Sequence, residues 1–392
     1  MKVLAIAPYI SSVYGGPGKV ALELVNTLAK FDLDIDLVTT NANYAGVETN
    51  CWSGRDNYRI RYFNCWHEDD FIISTGMIVW LFKNISNYDL VHTNTLFSPL
   101  ISCVHWICQL FNIPYVVTPH GMLEPWALSY KTSKKKVYFN LIEKRALKKA
   151  SAIHTLVASE AANIKSLGVD SQIKIIPNGI HLQDFNCWGD RDIFYEKYPY
   201  TKDKRLILFL GRIDPKKGLD LLALAFGKVR QKFPNTHLIV AGPDNINYLP
   251  EVKSFFRQEN CLEAVTFTGM LTGELKKSAL AAADLYVAPS YSEGFSMSVL
   301  EGMASGLPCV ITTGCNFPEA DRANAACVVD INSDAIASAL IDCLENPQQA
   351  QLMGDRARQY ILQNYTWDIV AQKLIRVYQE LTEDKIASLN YI

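Results

Sequence analysis

The hydrophobic positions of this chain form short uninterrupted runs, separated by segments with helical spacing. The runs show no alternation with a period of two, which is typical of strands buried on both faces of a parallel sheet. Intervening segments such as Lys19–Lys30 and Leu219–Gln231 repeat apolar residues at helical intervals, so the pattern predicts an α/β fold of doubly wound parallel sheets. The predicted strands are Val3–Ala7, Ile35–Thr39, Ile60–Phe63, Leu90–His92, Tyr115–Thr118, Ile153–Val157, Leu206–Leu210, His237–Ala241, Val265–Thr268, Leu285–Ala288, Cys309–Thr312 and Cys327–Val329.

The β-α pattern is interrupted once, at Pro177–Lys204. This stretch contains Pro, Asn, Gly, aromatic and charged residues with little periodicity, so we interpret it as the connection between two domains. A length of 392 residues also favours two domains over one core. The last periodic segment, Ile369–Leu381, follows the second set of β-α units.

Composition and charge narrow the possible classes of function. Hydrophobic residues make up 49% and charged residues 20%, as in a globular protein. No apolar run is long enough to span a membrane, and the first residues indicate a buried strand rather than a signal peptide. The 10 cysteines lack metal-binding spacing, so we expect reduced thiols and a cytoplasmic protein. A net charge of −2 argues against a general nucleic-acid binder.

Because ligands of open α/β sheets bind beyond the carboxyl ends of the strands, motifs directly after strands are candidate sites. Glu293 to Glu301 follows the strand Leu285–Ala288 and opens a predicted helix that extends to about Ser305. The helix start suits phosphate, and carboxylates eight residues apart, at different heights on one side, suit two sets of hydroxyls. The alternative to a ligand-binding role is that Glu293 only complements the helix dipole and that Glu301 is a solvated surface residue.

The second motif, Gly211–Gly218, follows the strand Leu206–Leu210. Arg212 offers a planar fork for phosphate and Lys217 a mobile point charge, so the two could hold a diphosphate. A solvated basic turn is the alternative, and it is more strongly favoured for Lys216.

Two further loops carry candidate residues. Gly16 and Gly18 lie between the first strand and the first helix and let backbone approach a ligand closely. They formally fit a dinucleotide fingerprint, but the second strand ends without a ribose-binding acid, so NAD binding is not favoured. His120 follows the strand Tyr115–Thr118 and could donate to a sugar hydroxyl or transfer a proton, although a lone histidine is more often structural.

Taken together, the motifs resemble retaining glycosyltransferases of family 4, which have the GT-B fold. The Glu-x7-Glu signature of that family matches Glu293 and Glu301, its donor motif matches Gly211–Gly218, and its Pro-Asn-Gly turn matches Pro177–Gly179. The resemblance implies two Rossmann-like domains facing a cleft. We expect an N-terminal acceptor domain at 1–178, completed by a crossover helix at 367–392, and a donor domain at 179–366.

The resemblance also implies roles for individual residues. Glu301 would accept from the ribose hydroxyls of the nucleotide, and Glu293 and His120 would contact the donor hexose. Arg212 and Lys217 would neutralise the diphosphate leaving group. The other implied donor contacts are Gly16, Gly211, Gly242, Met270 and the backbone of Gly294, Phe295, Ser296 and Met297. Many family members have Gly-Leu where this chain has Ser296-Met297, which leaves the sugar open.

Fixed cations at the leaving group would replace a metal ion, so we expect no metal and no other cofactor. The only Asp-x-Asp sequence considered as a metal motif, Asp34-Ile35-Asp36, runs into a strand rather than following one. The resemblance implies retention of anomeric configuration, and no covalent nucleophile stands out.

The acceptor is expected to be a saccharide or a polyprenyl-linked saccharide in polysaccharide assembly. Lys131–Lys149 is a basic amphipathic stretch that either contacts an anionic membrane surface or is a solvated helix. Phe71–Ile85 could add apolar contact, although core packing is favoured. The donor is expected to be UDP-glucose, with GDP-mannose second, because no guanine-reading carboxylate is evident. A sugar-nucleotide epimerase and a non-catalytic binding protein remain alternatives.

Overall fold

A computed structural model describes residues 1–68, 71–125, 128, 132–185 and 189–389. The chain forms two compact units, Met1–Gly179 with Trp367–Ile392 (unit 1) and Ile180–Thr366 (unit 2). The expected domains, 1–178 with 367–392 and 179–366, place the first boundary one residue earlier. Ile180 belongs to unit 2 because its N–H donates to the carbonyl of Tyr365 at 2.9 Å and it forms a parallel bridge with Thr366.

The strands are numbered in chain order. They are β1 Lys2–Ile6, β2 Asp34–Thr40, β3 Trp52–Gly54, β4 Arg59–Phe63, β5 Trp66–Glu68, β6 Phe71–Ile73, β7 Leu90–Asn94, β8 Tyr115–Thr118, β9 Ala152–Thr155, β10 Ile173–Ile175, β11 Arg205–Leu210, β12 Thr236–Ala241, β13 Val265–Gly269, β14 Leu285–Ala288, β15 Cys309–Thr312 and β16 Cys327–Val329. Each predicted strand is present, with ends shifted by two residues at most. The sequence reading missed β3, β5, β6 and β10, which have only three residues each.

The helices are numbered in the same way. They are α1 Gly16–Lys30, α2 Thr75–Asn84, α3 Pro99–Leu110, α4 Thr132–Tyr138, α5 Lys144–Lys149, α6 Ala158–Ser166, α7 Arg191–Lys197, α8 Leu219–Lys232, α9 Leu249–Gln258, α10 Gly273–Ala282, α11 Met297–Ala304, α12 Pro318–Arg322, α13 Ser333–Glu345, α14 Pro347–Asn364 and α15 Trp367–Leu389. Short 3-10 turns connect several of them, and a π-helix at Phe139–Glu143 joins α4 to α5.

Unit 1 is built on an eight-stranded sheet with the order β10-β9-β8-β7-β1-β2-β4-β3. All neighbouring strands are parallel except the antiparallel pair β3–β4. Helix α15 packs on α1, and its residues Val370, Leu374 and Tyr378 enter the core beside β1 and β2. The C-terminal helix is therefore an integral part of this unit.

Unit 2 is built on a six-stranded parallel sheet with the order β13-β12-β11-β14-β15-β16. Strands β11 and β14 are neighbours although about 75 residues separate them in the chain, so the loops that follow them meet at one edge. Most of the predicted connection Pro177–Lys204 belongs to this unit, because α7 packs on α10. Reading that whole stretch as a linker was therefore wrong.

Candidate active site

The loop after β11 forms a tight basic turn. Its 3-10 helix, Pro215–Lys217, begins at Asp214, whose carboxylate accepts from the N–H of Lys216 at 3.1 Å. Gly218 ends the turn with φ of 69°, and a Cβ there would lie 2.0 Å from the carbonyl oxygen of Pro289. Only glycine fits this position, so the loops after β11 and β14 lie in direct contact.

Lys217 and Glu293 form an ion pair across these two loops. The ammonium of Lys217 donates to Glu293 Oε1, and the two side chains are 12% and 8% exposed. Ser290 Oγ donates to the same oxygen at 2.8 Å. Burial alone would raise the pKa of the Glu293 carboxyl, but the charges of Lys217 and Lys216 outweigh it and hold this pKa below its usual value. Glu293 is therefore a fixed anion.

The backbone of Glu293 is held by the loop after β15. Its N–H donates to the carbonyl of Gly314 at 2.8 Å, and the side-chain amide of Asn316 donates to its carbonyl. Asn316 has φ of 54°, a left-handed conformation that asparagine tolerates better than most residues. Ser290, Gly314 and Asn316 were not found by sequence reasoning; the only signal was a Gly-x-Asn turn directly after a strand.

Two further cations lie in the loop after β11. Arg212 is exposed and has no ion-pair partner among the described residues. Lys216 is half-buried, and burial followed by the charges of Lys217 and Arg212 lowers its pKa, although Glu293 opposes this. The solvated position favoured for Lys216 was wrong, because its side chain is half-buried like that of Lys217, whereas Arg212 is exposed.

The segment Gly294–Met297 is mostly a loop. Helix α11 begins at Met297, later than predicted, and Ser296 is its N-cap residue without a capping side-chain bond. The ring of Phe295 stacks on Tyr365 at 6.1 Å, so its side chain belongs to the core and only its backbone can serve a ligand. Met297 is half-buried against the same core, and Ser296 Oγ lies 3.2 Å from Ser298 Oγ.

Glu301 lies one turn inside α11 and forms a second carboxylate–lysine pair. Lys276 on α10 donates to Glu301 Oε1 at 2.7 Å, with side-chain exposures of 29% and 19%. Glu293 precedes the helix as expected, but the helix begins only at Met297, so Glu301 lies one turn inside it rather than the expected two. Helical spacing therefore does not fix the relative positions of the two carboxylates. Lys276 was missed, since no sequence motif marks it.

The loops after β12 and β13 lie beside the loop after β11. A Cβ on Gly242 would lie 1.8 Å from the carbonyl oxygen of Gly211, so glycine is needed where these two backbones cross. The N–H of Gly242 donates to the carbonyl of Gly269 at 2.9 Å. Met270, which follows, is 65% exposed and available to a ligand. The expected base-contact residues therefore lie on adjacent loops.

In unit 1, His120 lies in a left-handed turn with φ of 55°. Burial, helped by His154, lowers its pKa to about 3, so the imidazole is neutral. The Asn94 amide donates to Ile6 and presents its oxygen 2.9 Å from His120 Nε2, so we infer that Nε2 carries the hydrogen. Nδ1 is then an acceptor, whereas the sequence reading made His120 a donor or proton carrier.

Gly16 is the exposed first residue of α1, and a Cβ there would meet no atom within 4 Å. The glycine that packing requires is Gly18, whose Cβ would lie 2.8 Å from Ile10 Cα. Asp36 of the considered metal motif is buried and receives two bonds from Arg59 at 2.7 and 2.9 Å, which gives it a structural role.

Among the described residues, no group of His, Cys, Asp and Glu could hold a metal ion. The nine cysteines of the described part of the chain are unpaired, and Cys187 lies outside it. No helix in the same part is both long and apolar enough to cross a bilayer.

Two family models match the chain. One, described as glycosyl transferases group 1, covers residues 190–360, and the other, glycosyltransferase family 4, covers residues 14–184. Two curated relatives align over 97% of this chain: an uncharacterized glycosyltransferase of Methanocaldococcus jannaschii (23% identical, 98% of its length) and the phosphatidyl-myo-inositol mannosyltransferase of Mycolicibacterium smegmatis (25%, 94% of its length).

The fold is shared with solved glycosyltransferase structures. Anabaena HepE in complex with UDP-glucose superimposes with a TM-score of 0.76 at 17% identity, over 97% of this chain and 100% of HepE. The two family models, the parallel sheet in each unit and the charge cluster beyond the strand ends of unit 2 all point to the same family. The chain belongs to the family 4 type of glycosyltransferases and has the GT-B fold.

Proposed function

We propose that the protein transfers a hexose from a nucleotide sugar to a saccharide or lipid-linked saccharide, with retention of configuration and without a metal ion. The supporting observation is the buried contact between Lys217 and Glu293, flanked by Lys216 and the exposed Arg212. This arrangement collects three cations at the carboxyl end of β11, where a diphosphate would lie.

The cations account for departure of the nucleoside diphosphate. As the glycosidic C–O bond breaks, negative charge grows on the bridging oxygen, and preorganised charges lower the barrier at that point. Arg212 suits this role because it is exposed and unpaired by other described residues. In a retaining reaction the acceptor oxygen bonds to the face that the diphosphate leaves, and the acceptor proton passes to a departing phosphate oxygen. EDTA should then leave turnover unchanged.

Glu293 and Glu301 would bind hydroxyl groups. Glu293 is ionised, and its Oε1 already accepts from Lys217 and Ser290, so Oε2 is the oxygen left for a hexose hydroxyl. His120 of unit 1 would accept from a hydroxyl through Nδ1. The backbone N–H groups at Met297 and beyond would serve phosphate oxygens at the start of α11.

UDP-glucose is the preferred donor and GDP-mannose the second candidate. Asp244, the acid that follows β12, already accepts from the backbone N–H groups of Tyr248 and Leu249 at 2.9 Å, which leaves it poorly placed to read guanine. HepE binds UDP-glucose, which favours the first donor. The mannosyltransferase name of the M. smegmatis relative favours mannose.

A thermal-shift screen of UDP-, GDP- and ADP-sugars tests the proposal, because a ligand stabilises the folded state by RT ln(1 + [L]/Kd). We expect one nucleotide series to raise Tm, and Lys217→Ala to abolish that shift. Transfer of labelled hexose to an acceptor then separates a transferase from an epimerase or a binding protein. A chain that binds none of these nucleotides would contradict the proposal.

We further propose that unit 1 contacts an anionic membrane. Helices α3 and α5 and the π-helix border a groove of about 490 Å³. The apolar–basic face of this groove comprises Trp106, Leu110, Leu141, Ile142, Arg145 and Lys149. Its apolar members are 40–68% exposed, a large exposure for such side chains. Lys131 of the predicted basic stretch lies outside the described residues, and the stretch is two α-helices joined by the π-helix rather than one helix.

Within the basic stretch, some apolar side chains face the core and others face solvent. Phe139 is buried and Tyr138 bonds to Ser102, so these rings face inward while Leu141 and Ile142 face solvent. Arg145, Lys148 and Lys149 are all exposed beside them. Apolar side chains rimmed by cations match the chemistry of a bilayer with acidic headgroups.

Flotation with phosphatidylglycerol vesicles tests this surface. Each basic residue near an anionic bilayer contributes about 1 kcal/mol, so Arg145→Gln/Lys149→Gln should weaken binding about tenfold or more. The exposed pair Lys30→Gln/Lys165→Gln is the matched control from the same unit. Absence of wild-type binding, or equal loss in both variants, would refute the membrane proposal.

A further inference from the structure

The second carboxylate–lysine pair, Lys276 with Glu301, has no part in the family motifs. We infer that Lys276 is a positioning residue that orients Glu301 toward the ribose of the nucleotide and so sets the preference for ribonucleotides. This inference rests on the proposed function, because it assumes that Glu301 meets a ribose.

The bond from Lys276 leaves one oxygen of the Glu301 carboxylate available to a ligand. Lys276 donates to Oε1 of Glu301 at 2.7 Å, while Oε2 has no hydrogen-bond partner among the described residues. A carboxylate oxygen has two lone pairs, so Oε1 also retains capacity for one more donor. Glu301 can therefore accept from both hydroxyls of a vicinal diol without losing Lys276.

The position of Lys276 fits a nucleoside-facing role. It lies in the first turns of α10, which begins directly after the loop 269–272, where the base contacts are expected. Gly269 opens this loop and Gly273 follows it, with φ of 69° and 54°, and a Cβ on either would meet no atom within 4 Å. The loop is thus open to a ligand on the side where the helix of Lys276 starts.

The pair also differs from an ordinary surface ion pair. Its side chains are 29% and 19% exposed, whereas the neighbouring Lys277 lies 3.6 Å from a Glu274 that is 70% exposed. An exposed pair contributes little, because solvent screens it and long side chains lose entropy. A half-buried pair fixes the rotamer of Glu301 before the ligand arrives, which lowers the ordering that binding requires.

The experiment measures Kd by calorimetry for UDP and 2′,3′-dideoxy-UDP, with GDP and its dideoxy analogue in parallel. Lys276→Ala should weaken the ribonucleotide about fivefold to tenfold, the effect of one charge-assisted hydrogen-bond network, and the dideoxy analogue less than twofold. Lys276→Arg should restore part of the discrimination, and Lys277→Ala is the matched control. Thermal unfolding without ligand shows whether each variant is folded.

The outcomes separate the two proposals. If the wild type binds neither diphosphate, the proposed function fails. If Glu301→Ala weakens ribonucleotides selectively while Lys276→Ala leaves both affinities unchanged, only the role of Lys276 fails. Equal weakening of ribo and dideoxy ligands by Lys276→Ala would likewise overturn it, because a purely structural lysine does not distinguish them.

Discussion

Lys217→Ala should affect both the reaction and the stability of unit 2. The substitution removes a cation at the leaving group, which typically costs about 10²–10³ in kcat. It also leaves the Glu293 carboxylate, 8% exposed, without its main counter-ion. Loss of one partner of a buried ion pair costs about 3–5 kcal/mol of unfolding free energy. For a unit of this size that is a fall in Tm of roughly 10 °C.

A second substitution separates the two effects. Glu293→Gln in the Lys217→Ala background removes the unpaired charge while its amide oxygen can still accept from Ser290. We therefore expect the double variant to recover most of the lost Tm and none of the lost activity. Lys216→Ala is the matched control from the same turn, with a smaller effect on Tm because Lys216 forms no ion pair with Glu293.

The loss of Tm in Lys217→Ala should grow as pH rises. In the wild type the pKa of Glu293 is lowered, so its pairing stabilises the protein above the ordinary value of 4.5 and this contribution is lost as pH falls below it. In Lys217→Ala burial dominates and raises that pKa, so the penalty grows as pH rises. Calorimetry should show a larger Tm loss at pH 8 than at pH 5. Equal losses at both values, or no recovery in the double variant, would refute this account.

Further predictions concern backbone and buried groups. Gly218→Ala should lower donor affinity and Tm more than Gly273→Ala. Both glycines have positive φ, but only at Gly218 would the added Cβ lie 2.0 Å from a carbonyl oxygen; calorimetric scans compare the two variants. Burial lowers the pKa of His154 from 6.5 to about 4, so its neutral form stabilises the folded state above pH 6.5 and about 3 kcal/mol is lost toward pH 4; His154→Gln should flatten that fall in Tm. Burial raises the pKa of Glu143 from 4.5 to about 7. Its protonation therefore stabilises the folded state as pH falls from 7 to 4.5, so Glu143→Gln should make Tm fall more steeply on acidification.

The central strands were predictable because each is a continuous, mostly apolar run that can be recognised in the sequence itself. Runs such as Leu285–Ala288 and Cys309–Thr312 are buried at every position and almost wholly apolar, as strands of a parallel sheet covered on both faces usually are. The three-residue strands β3 and β10 are interrupted by Ser53, Gly54 and Lys174, whereas the equally short β16 is apolar throughout and was found. The π-helix at Phe139–Glu143 was not predicted either, because its sequence fits an ordinary helical pattern; within it Phe139 and Glu143 are buried.

The sequence marked Lys217 and Glu293 separately, but it gave no sign of the contact between them. Lys217 and Glu293 each follow a strand, and their contact required the neighbouring positions of β11 and β14 in the sheet. The start of α11, and with it the depth of Glu301 in the helix, was misjudged because Gly294–Ser296 could equally have been helical by sequence. Lys276 belongs to no motif and Asn316 only to a Gly-x-Asn turn, and packing alone brings Lys276 to the Glu301 carboxylate and Asn316 to the backbone carbonyl of Glu293.

The carboxylates of Glu293 and Glu301 belong to one sequence motif but are under different physical constraints in the structure. Glu293 is nearly buried, its pKa is lowered by two lysines, and its backbone is bonded on both sides, so changes there alter fold and reaction together. Glu301 is more exposed, keeps one oxygen without a partner among the described residues, and has a single lysine. Substitution at Glu301 should therefore change nucleotide affinity at nearly constant Tm. Changes at the Glu301 pair should accordingly alter the affinity for ribonucleotides without disturbing the charge cluster around Lys217.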